Sequence, residues 1–216
     1  EPVRPYYEEA GVVIYHGDCR AVLPVLGPVD LLLTDPPYGI GEAGKDNTSR
    51  TKRAFATDSR RLSRPVAAPD YGRLSWDDAP PPRWLLDWLC EVSRWQIIFG
   101  GNYFGLPGAS CWLVWDKDNG ASDFSDCELA WTNLDRAVRK FVWRWNGMLQ
   151  QVAGAGKEER WWPTQKPLAV MKWAIEQAPP DCALIFDPFM GSGTTLRAAK
   201  DLGRRAIGID REERAC

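Results

Sequence analysis

Apolar positions along the chain fall into short continuous runs separated by helical patterns. Val12–Cys19 (VVIYHGDC) opens on a β-branched run and closes on Gly-Asp, the pattern of a buried strand. Arg20–Leu26 reads as a helix. Val29–Tyr38 (VDLLLTDPPY) follows, and its core, Leu31–Leu33, stops at a carboxylate and two prolines. Pro82–Arg94 places Trp84, Leu85, Trp88, Leu89 and Val92 at helical spacing. Strand-like runs come next, over 95–104, 110–117, 127–133 and 140–147. Pro167–Ala178 is a helix with proline at its start. The chain closes with a strand (183–189), a helix (194–203) ending in Gly203, and a strand (204–210). Apolar strands alternating with helices predict an α/β fold, with a mostly parallel sheet covered on both faces. Sheets of that kind bind ligands at the carboxyl ends of their strands.

Composition narrows the class. The 216 residues are 44% hydrophobic and 26% charged, which suits one globular domain and excludes disorder for the bulk of the chain. No run approaches the roughly 18 apolar residues of a membrane span. The N-terminal EPVRPYYEEAG lacks a basic segment followed by an apolar one, so no secretory signal is expected. The six cysteines never form a C-x-x-C pair and there is one histidine, so no metal site is expected and a reducing cytoplasm is. With net charge −2, binding to a polyanion must come from local basic patches. Two segments supply them. The first, 39–73, carries Lys45, Arg50, Lys52, Arg53, Arg60, Arg61, Arg64 and Arg73 against four acids, and reads as a mobile basic loop. The second, 134–160, carries Arg136, Arg139, Lys140 and Arg144 and reads as a small target-recognition insertion. A solvated face is the plain alternative for both.

Two motifs carry chemistry. In DPFMGSGTT (Asp187–Thr195), Gly191 and Gly193 lie between a strand and a helix, where the missing side chains let a ligand approach the backbone. Asp210 ends the next strand, in the place of an acid that bonds ribose hydroxyls. Proteins that bind NAD, FAD or S-adenosylmethionine all use such turns. Asp187 would repel a pyrophosphate and attract an ammonium, which favours S-adenosylmethionine. In DPPY (Asp35–Tyr38), the Asp35 carboxylate and the Pro36 carbonyl can each accept a hydrogen from an aromatic amine. That frees the nitrogen lone pair to face a methyl donor. Pro36 and Pro37 stiffen the backbone that presents these acceptors, and Tyr38 can stack on the base.

Together the two motifs resemble the β-group DNA amino-methyltransferases, in which DPPY precedes the cofactor motif. Gly17–Cys19 before the first motif and Pro163–Pro167 (PTQKP) before the second match the same pattern. The resemblance implies a circularly permuted Rossmann-like fold with a seven-stranded sheet, and methyl transfer from S-adenosylmethionine to the N6 amine of a flipped adenine. It assigns catalysis to Asp35, Pro36, Pro37 and Tyr38. Asp18 and Cys19 would meet the cofactor adenine, and Asp187, Phe189, Gly191, Gly193 and Thr194 the methionine part. Thr164 and Lys166 would close over the cofactor, with Asp35 beside it and Asp210 on the ribose. DNA contacts would come from Lys45, Arg50, Lys52, Arg53, Lys117, Arg136, Arg139 and Arg144. The partners implied are double-stranded DNA and a second copy of the chain, since little sequence follows the last strand to cover one sheet face. N4-cytosine methylation, a non-catalytic DNA-binding module and an NAD-dependent oxidoreductase are the competing readings. The last leaves DPPY unexplained.

Overall fold

The structure, a computed structural model, describes residues 3–41, 77–120, 125–146, 149–151, 158–162 and 164–216. Contacts divide the chain into two compact units: Pro37–Pro80, and Glu1–Pro36 with Pro81–Cys216. In chain order the larger unit contains β1 (Tyr7–Glu9), β2 (Val12–His16), α1 (Cys19–Val22), β3 (Val29–Thr34) and α2 (Arg83–Glu91). Then follow β4 (Ser93–Phe99), β5 (Trp112–Asp116), β6 (Cys127–Thr132), β7 (Arg139–Val142), β8 (Trp145–Asn146) and β9 (Leu149–Gln150). The last elements are α3 (Leu168–Gln177), β10 (Leu184–Asp187), α4 (Thr194–Asp201) and β11 (Arg205–Asp210).

Among the described residues one sheet has nine strands in the order β1-β2-β11-β10-β3-β4-β6-β5-β7, and β8 and β9 form a separate hairpin. The five strands from β2 to β4 are mutually parallel. β6 runs antiparallel to both β4 and β5. The sheet is thus mixed and mostly parallel, as expected, but with nine strands where seven were predicted. The two additional strands are its edges. β1 is exposed throughout and carries no apolar signal. It exists because Ala10 and Gly11, both at positive φ (49° and 82°), make a tight hairpin onto β2. β7 is the first half of the run read as one strand over 140–147. That run breaks at Trp143, whose N–H donates to the Asp116 carbonyl at 2.9 Å.

The central strands are buried on both sides, which is why they read as unbroken apolar runs. Leu31, Leu32 and Leu33 have no exposed surface, each worth about 2 kcal/mol of burial. Leu31, Leu33, Ile97, Phe99 and Ile185 share a core with Val170, Met171, Ala174 and Ile175 of α3 and with Leu196, Ala198 and Ala199 of α4. The alternate positions Leu32, Ile98 and Phe186 face the other way and are equally buried. Gly208 makes the close approach of α4 possible: a Cβ there would fall 2.5 Å from Met190 Sδ and 2.6 Å from Leu196 Cδ2. The helix predicted over Pro82–Arg94 is shorter and rotated. It buries Leu85, Leu86 and Leu89, while Trp84, expected inside, is 52% exposed. Among the described residues no helix is long and apolar enough to cross a membrane.

In the smaller unit the described residues are its two ends. The Gly39 N–H donates to Asp77 Oδ1 at 2.8 Å, and the Gly41 N–H donates to the Asp77 carbonyl at 3.2 Å. Gly39 has φ +72°, and a Cβ there would lie 2.4 Å from Pro80 Cδ. The chain therefore leaves and returns side by side, tied by the buried Asp77. The loop predicted over 39–73 lies outside the described residues from 42 onward, with Lys45, Arg50, Lys52 and Arg53.

Candidate active site

Strand order determines where a ligand fits. From β10 the chain crosses through α4 to β11 on one side, and from β3 it crosses to β4 on the other. Right-handed crossovers in opposite directions put their connections on opposite faces and open a crevice between β10 and β3, beyond their carboxyl ends. Asp35 directly follows β3, Asp187 ends β10, Asp210 ends β11 and Asp18 follows β2. The fold thus brings four of the predicted acids to one edge.

Across the crevice, Thr34 Oγ1 donates to Asp187 Oδ1 at 2.7 Å. Thr195 Oγ1 donates to Asp187 Oδ2 at 2.5 Å, and the Phe189 N–H donates to Oδ1 at 3.1 Å. Asp187, expected to meet a ligand ammonium, is 2% exposed and ties the turn to β3 through Thr34 and to α4 through Thr195. Burial pushes its carboxyl up to about 6, against the hydrogen bonds from Thr195, Thr34 and Phe189. Asp210 braces the same turn. Its Oδ2 accepts from the Gly191 N–H at 2.9 Å and its Oδ1 from the Glu212 N–H at 2.9 Å, and burial raises its pKa. Gly191 and Gly193 have φ of +50° and +71°, a conformation that favours glycine. A Cβ on Gly193 would meet nothing within 4 Å, so the turn is open there, just before Thr194 begins α4. On Gly191 it would lie 3.4 Å from the buried Trp162 indole, which Arg214 covers at 4.9 Å. Trp162 was missed because its neighbour in space lies 29 positions away in sequence.

Asp18 caps α1 through the Arg20 N–H at 2.9 Å and binds the Arg20 and Arg211 guanidiniums. The hydrogen bond from Arg20 leads in holding its carboxyl down at about 2. Cys19 is buried, and burial pushes its thiol up to about 11, so it is protonated and no nucleophile at neutral pH. All six cysteines are free. Among the described residues no three His, Cys, Asp or Glu side chains are grouped to hold a metal ion.

Asp35 sits at the end of a row of alternating charges that the sequence does not reveal. The Lys166 ammonium pairs with Asp35 Oδ2 and lies 3.1 Å from Glu128 Oε2. Glu128 Oε1 in turn lies 2.6 Å from the Lys117 ammonium. Burial alone would depress the Lys166 pKa, but Asp35 and Glu128 more than reverse that and raise it. Burial would likewise raise Glu128, and the two lysines lower it. Aromatic faces complete the row: Phe99 lies 5.4 Å from the Lys166 ammonium and Trp115 lies 5.1 Å from that of Lys117. Glu128 is the polar interruption in CELAWT, which the apolar pattern of that strand hides. Thr164 is half-buried, two residues before Lys166.

The predicted DNA contacts fare differently. Lys117 points into the protein on Glu128 instead of out to a phosphate. Arg136 donates to the Gln177 carbonyl at 3.0 Å, capping the C-terminus of α3 at the opposite edge of the sheet. Arg139 is exposed in β7, in register with Leu113, Ala130 and Phe99. That puts it level with Asp35 but four strands, roughly 19 Å, away across the sheet. Arg144 follows β7, half exposed and paired with Asp118. Among the described residues of 134–160, Arg136 is thus tied to α3, while Arg139 and Arg144 are exposed.

The family model described as DNA methylase matches residues 112–216, just under half of the chain. The match takes in Lys117, Glu128, Lys166 and the glycine turn. Among curated proteins the chain is 26% identical to the type II methyltransferase M2.LlaDCHI of Lactococcus lactis subsp. cremoris, over 97% of this chain and 88% of that one. It is also 26% identical to M2.DpnII of Streptococcus pneumoniae, over the same shares. Among solved structures, M1.HpyAVI in complex with SAM is similar at TM-score 0.55 and 22% identity, covering 94% of this chain and 96% of the other. PvuII DNA methyltransferase (cytosine-N4-specific) is similar at TM-score 0.53 and 13% identity, covering 96% and 84%. The two solved structures are similar to this chain in fold.

Proposed function

We propose that the chain, acting as one methyltransferase domain, transfers a methyl group from S-adenosylmethionine to the N6 amine of an adenine extruded from duplex DNA. One observation carries the reading. Asp35 and Pro36 directly follow β3 at the topological switch point, across the crevice from the glycine turn after β10, and a Thr34–Asp187 hydrogen bond joins the two strands. A target amine and a cofactor are thereby given adjacent seats on rigid strands.

The residues around the turn suit that cofactor. Acids end three neighbouring strands, which fits a cation and ribose hydroxyls better than a pyrophosphate. The open side of Gly193 leaves room for a ligand against the backbone. In this reading Phe189, Gly191, Gly193 and Thr194 hold the methionine part, with Asp187 behind them, and Asp18 and Cys19 border the adenine. Asp210 takes the ribose, and Thr164 and Lys166 close the site. When bound, the cofactor supplies an electrophilic methyl carbon on a sulfonium. The protein's own work is positioning. The target base must leave the stack, because its amine is otherwise engaged in pairing. The Asp35 carboxylate and Pro36 carbonyl then accept the two amine hydrogens, which favours a pyramidal nitrogen. Pro37 and Tyr38 hold the ring. The basic segment beyond Gly41 and Arg144 take phosphates.

The Asp of DPPY favours adenine, since cytosine-N4 members of the resembling group more often carry Ser there. The test is incubation with labelled S-adenosylmethionine and DNA, followed by nucleoside mass spectrometry. N6-methyladenine is expected, N4-methylcytosine would replace the target, and no methylated nucleoside would refute the activity. Asp35→Ala should abolish transfer while calorimetry shows cofactor affinity little changed.

A further inference from the structure

The proposed chemistry leaves Lys117 and Glu128 without a stated task and gives Lys166 only that of closing the site, yet three ionised side chains with little exposure are costly unless each is compensated. Their side chains are 15%, 21% and 9% exposed, and Asp35 is 20% exposed. Each comes from a different segment: Lys117 follows β5, Glu128 lies in β6, Lys166 precedes α3 and Asp35 follows β3. Among the described residues Lys166 meets two anions and Glu128 meets two cations. A simple neutralised pair would need only Lys166 and Asp35. Asp187, another acid that feels the charge of Asp35, is held by Thr34, Thr195 and the Phe189 N–H.

We infer that Glu128 is a positioning residue that shares Lys166 with Asp35 and draws the ammonium away when the target amine arrives. The inference rests on the methyltransferase reading and deepens it. An ammonium seated on Asp35 competes with the amine for the same carboxylate and withdraws electron density from it, so the amine is less well polarised. Glu128, with Oε2 already 3.1 Å from the ammonium, offers a second seat without returning the charge to water. Lys117 anchors Glu128 from the far side and limits how strongly it pulls. Glu128 and Lys117 should therefore act on Asp35 in opposite senses.

Two measurements test this. Carbon-13 NMR of labelled aspartate carboxyls, with the Asp35 signal identified by Asp35→Asn, follows the Asp35 titration in the unliganded protein. Glu128→Gln removes an anion that competes for Lys166, so Asp35 should titrate at lower pH. Lys117→Met removes a cation and lets Glu128 draw Lys166 harder, so Asp35 should titrate at higher pH. Charge removal alone gives these signs, so the discriminating readout is that both shifts shrink in a Lys166→Met background, where no shared ammonium links Asp35 to Glu128. In methylation assays Glu128→Gln should lower kcat by about tenfold or more, the size of one charge-assisted hydrogen bond, with the cofactor Kd unchanged. That loss should disappear in a Lys166→Met background, because Glu128 acts through Lys166. An unmoved Asp35 titration in both variants, or an undiminished loss in the Lys166→Met background, overturns the inference. If the wild-type chain methylates no DNA while both titrations move as described, the methyltransferase reading fails and the shared counter-ion stands.

Discussion

Asp187 offers a direct thermodynamic test of the site's construction. It is 2% exposed and its carboxyl is raised from 3.8 to about 6, chiefly by burial. That shift corresponds to about 3 kcal/mol between the protonation states. The sign follows from where the proton resides. Below about pH 4 the acid is protonated whether the chain is folded or not, and the contribution is fully present. Between about 4 and 6 the folded chain keeps a proton that the unfolded chain has released. Above about 6 the buried group ionises, and the stabilisation is gone. Wild-type stability relative to Asp187→Asn should therefore fall by about 3 kcal/mol as pH rises from about 4 to about 8. The Asn variant adds a constant offset for the lost threonine hydrogen bonds. Asp210, also raised, titrates in both proteins and cancels in the difference. Asp18, held near 2, loses its contribution only as pH falls below the usual carboxylate range, outside this window. Urea titrations read by tryptophan fluorescence supply the numbers, with twelve tryptophans as reporters. A difference flat to within about 0.5 kcal/mol would refute the assignment of a raised, buried carboxyl.

Three further outcomes are expected. Gly191→Val places a β-branched residue at φ +50° and 3.4 Å from the Trp162 indole, so it should cost about 1–2 kcal/mol in thermal melts and abolish S-adenosylmethionine binding by calorimetry. Unchanged affinity would remove this turn from the cofactor site. Arg136→Ala should lower stability by about 1 kcal/mol, the loss of one helix-end hydrogen bond, and leave the salt dependence of DNA binding as it was. A reduced salt slope would return Arg136 to the DNA interface. Replacing Arg50, Lys52 and Arg53 together with alanine should weaken binding to every DNA sequence alike and flatten its fall with salt, at constant cofactor affinity. Normal binding at every salt concentration would leave the segment a solvated connection.

The sequence by itself determined whatever depends on neighbours a few positions apart. Leu31–Leu33 announce a central parallel strand because such strands are buried on both faces and tolerate no polar alternation. Asp35-Pro36-Pro37-Tyr38 and the turn at Gly191 and Gly193 are local chemistry, legible as motifs wherever they fall. β1 was not legible, because an exposed edge strand is made by its turn and its partner and not by its own side chains. Trp84 was placed wrongly because apolar spacing gives a helix face but not which of its edges meets the sheet. Charge was the least legible property. Lys117, Arg136 and Lys166 look alike in sequence, as cations available to a phosphate or a ligand. Tertiary structure alone decided that one holds Glu128, one caps α3 and one pairs with Asp35 across 131 positions. The reason is physical: a pairing between ions is set by distance and burial, and in a mostly parallel sheet both depend on which strands the fold brings to the same edge.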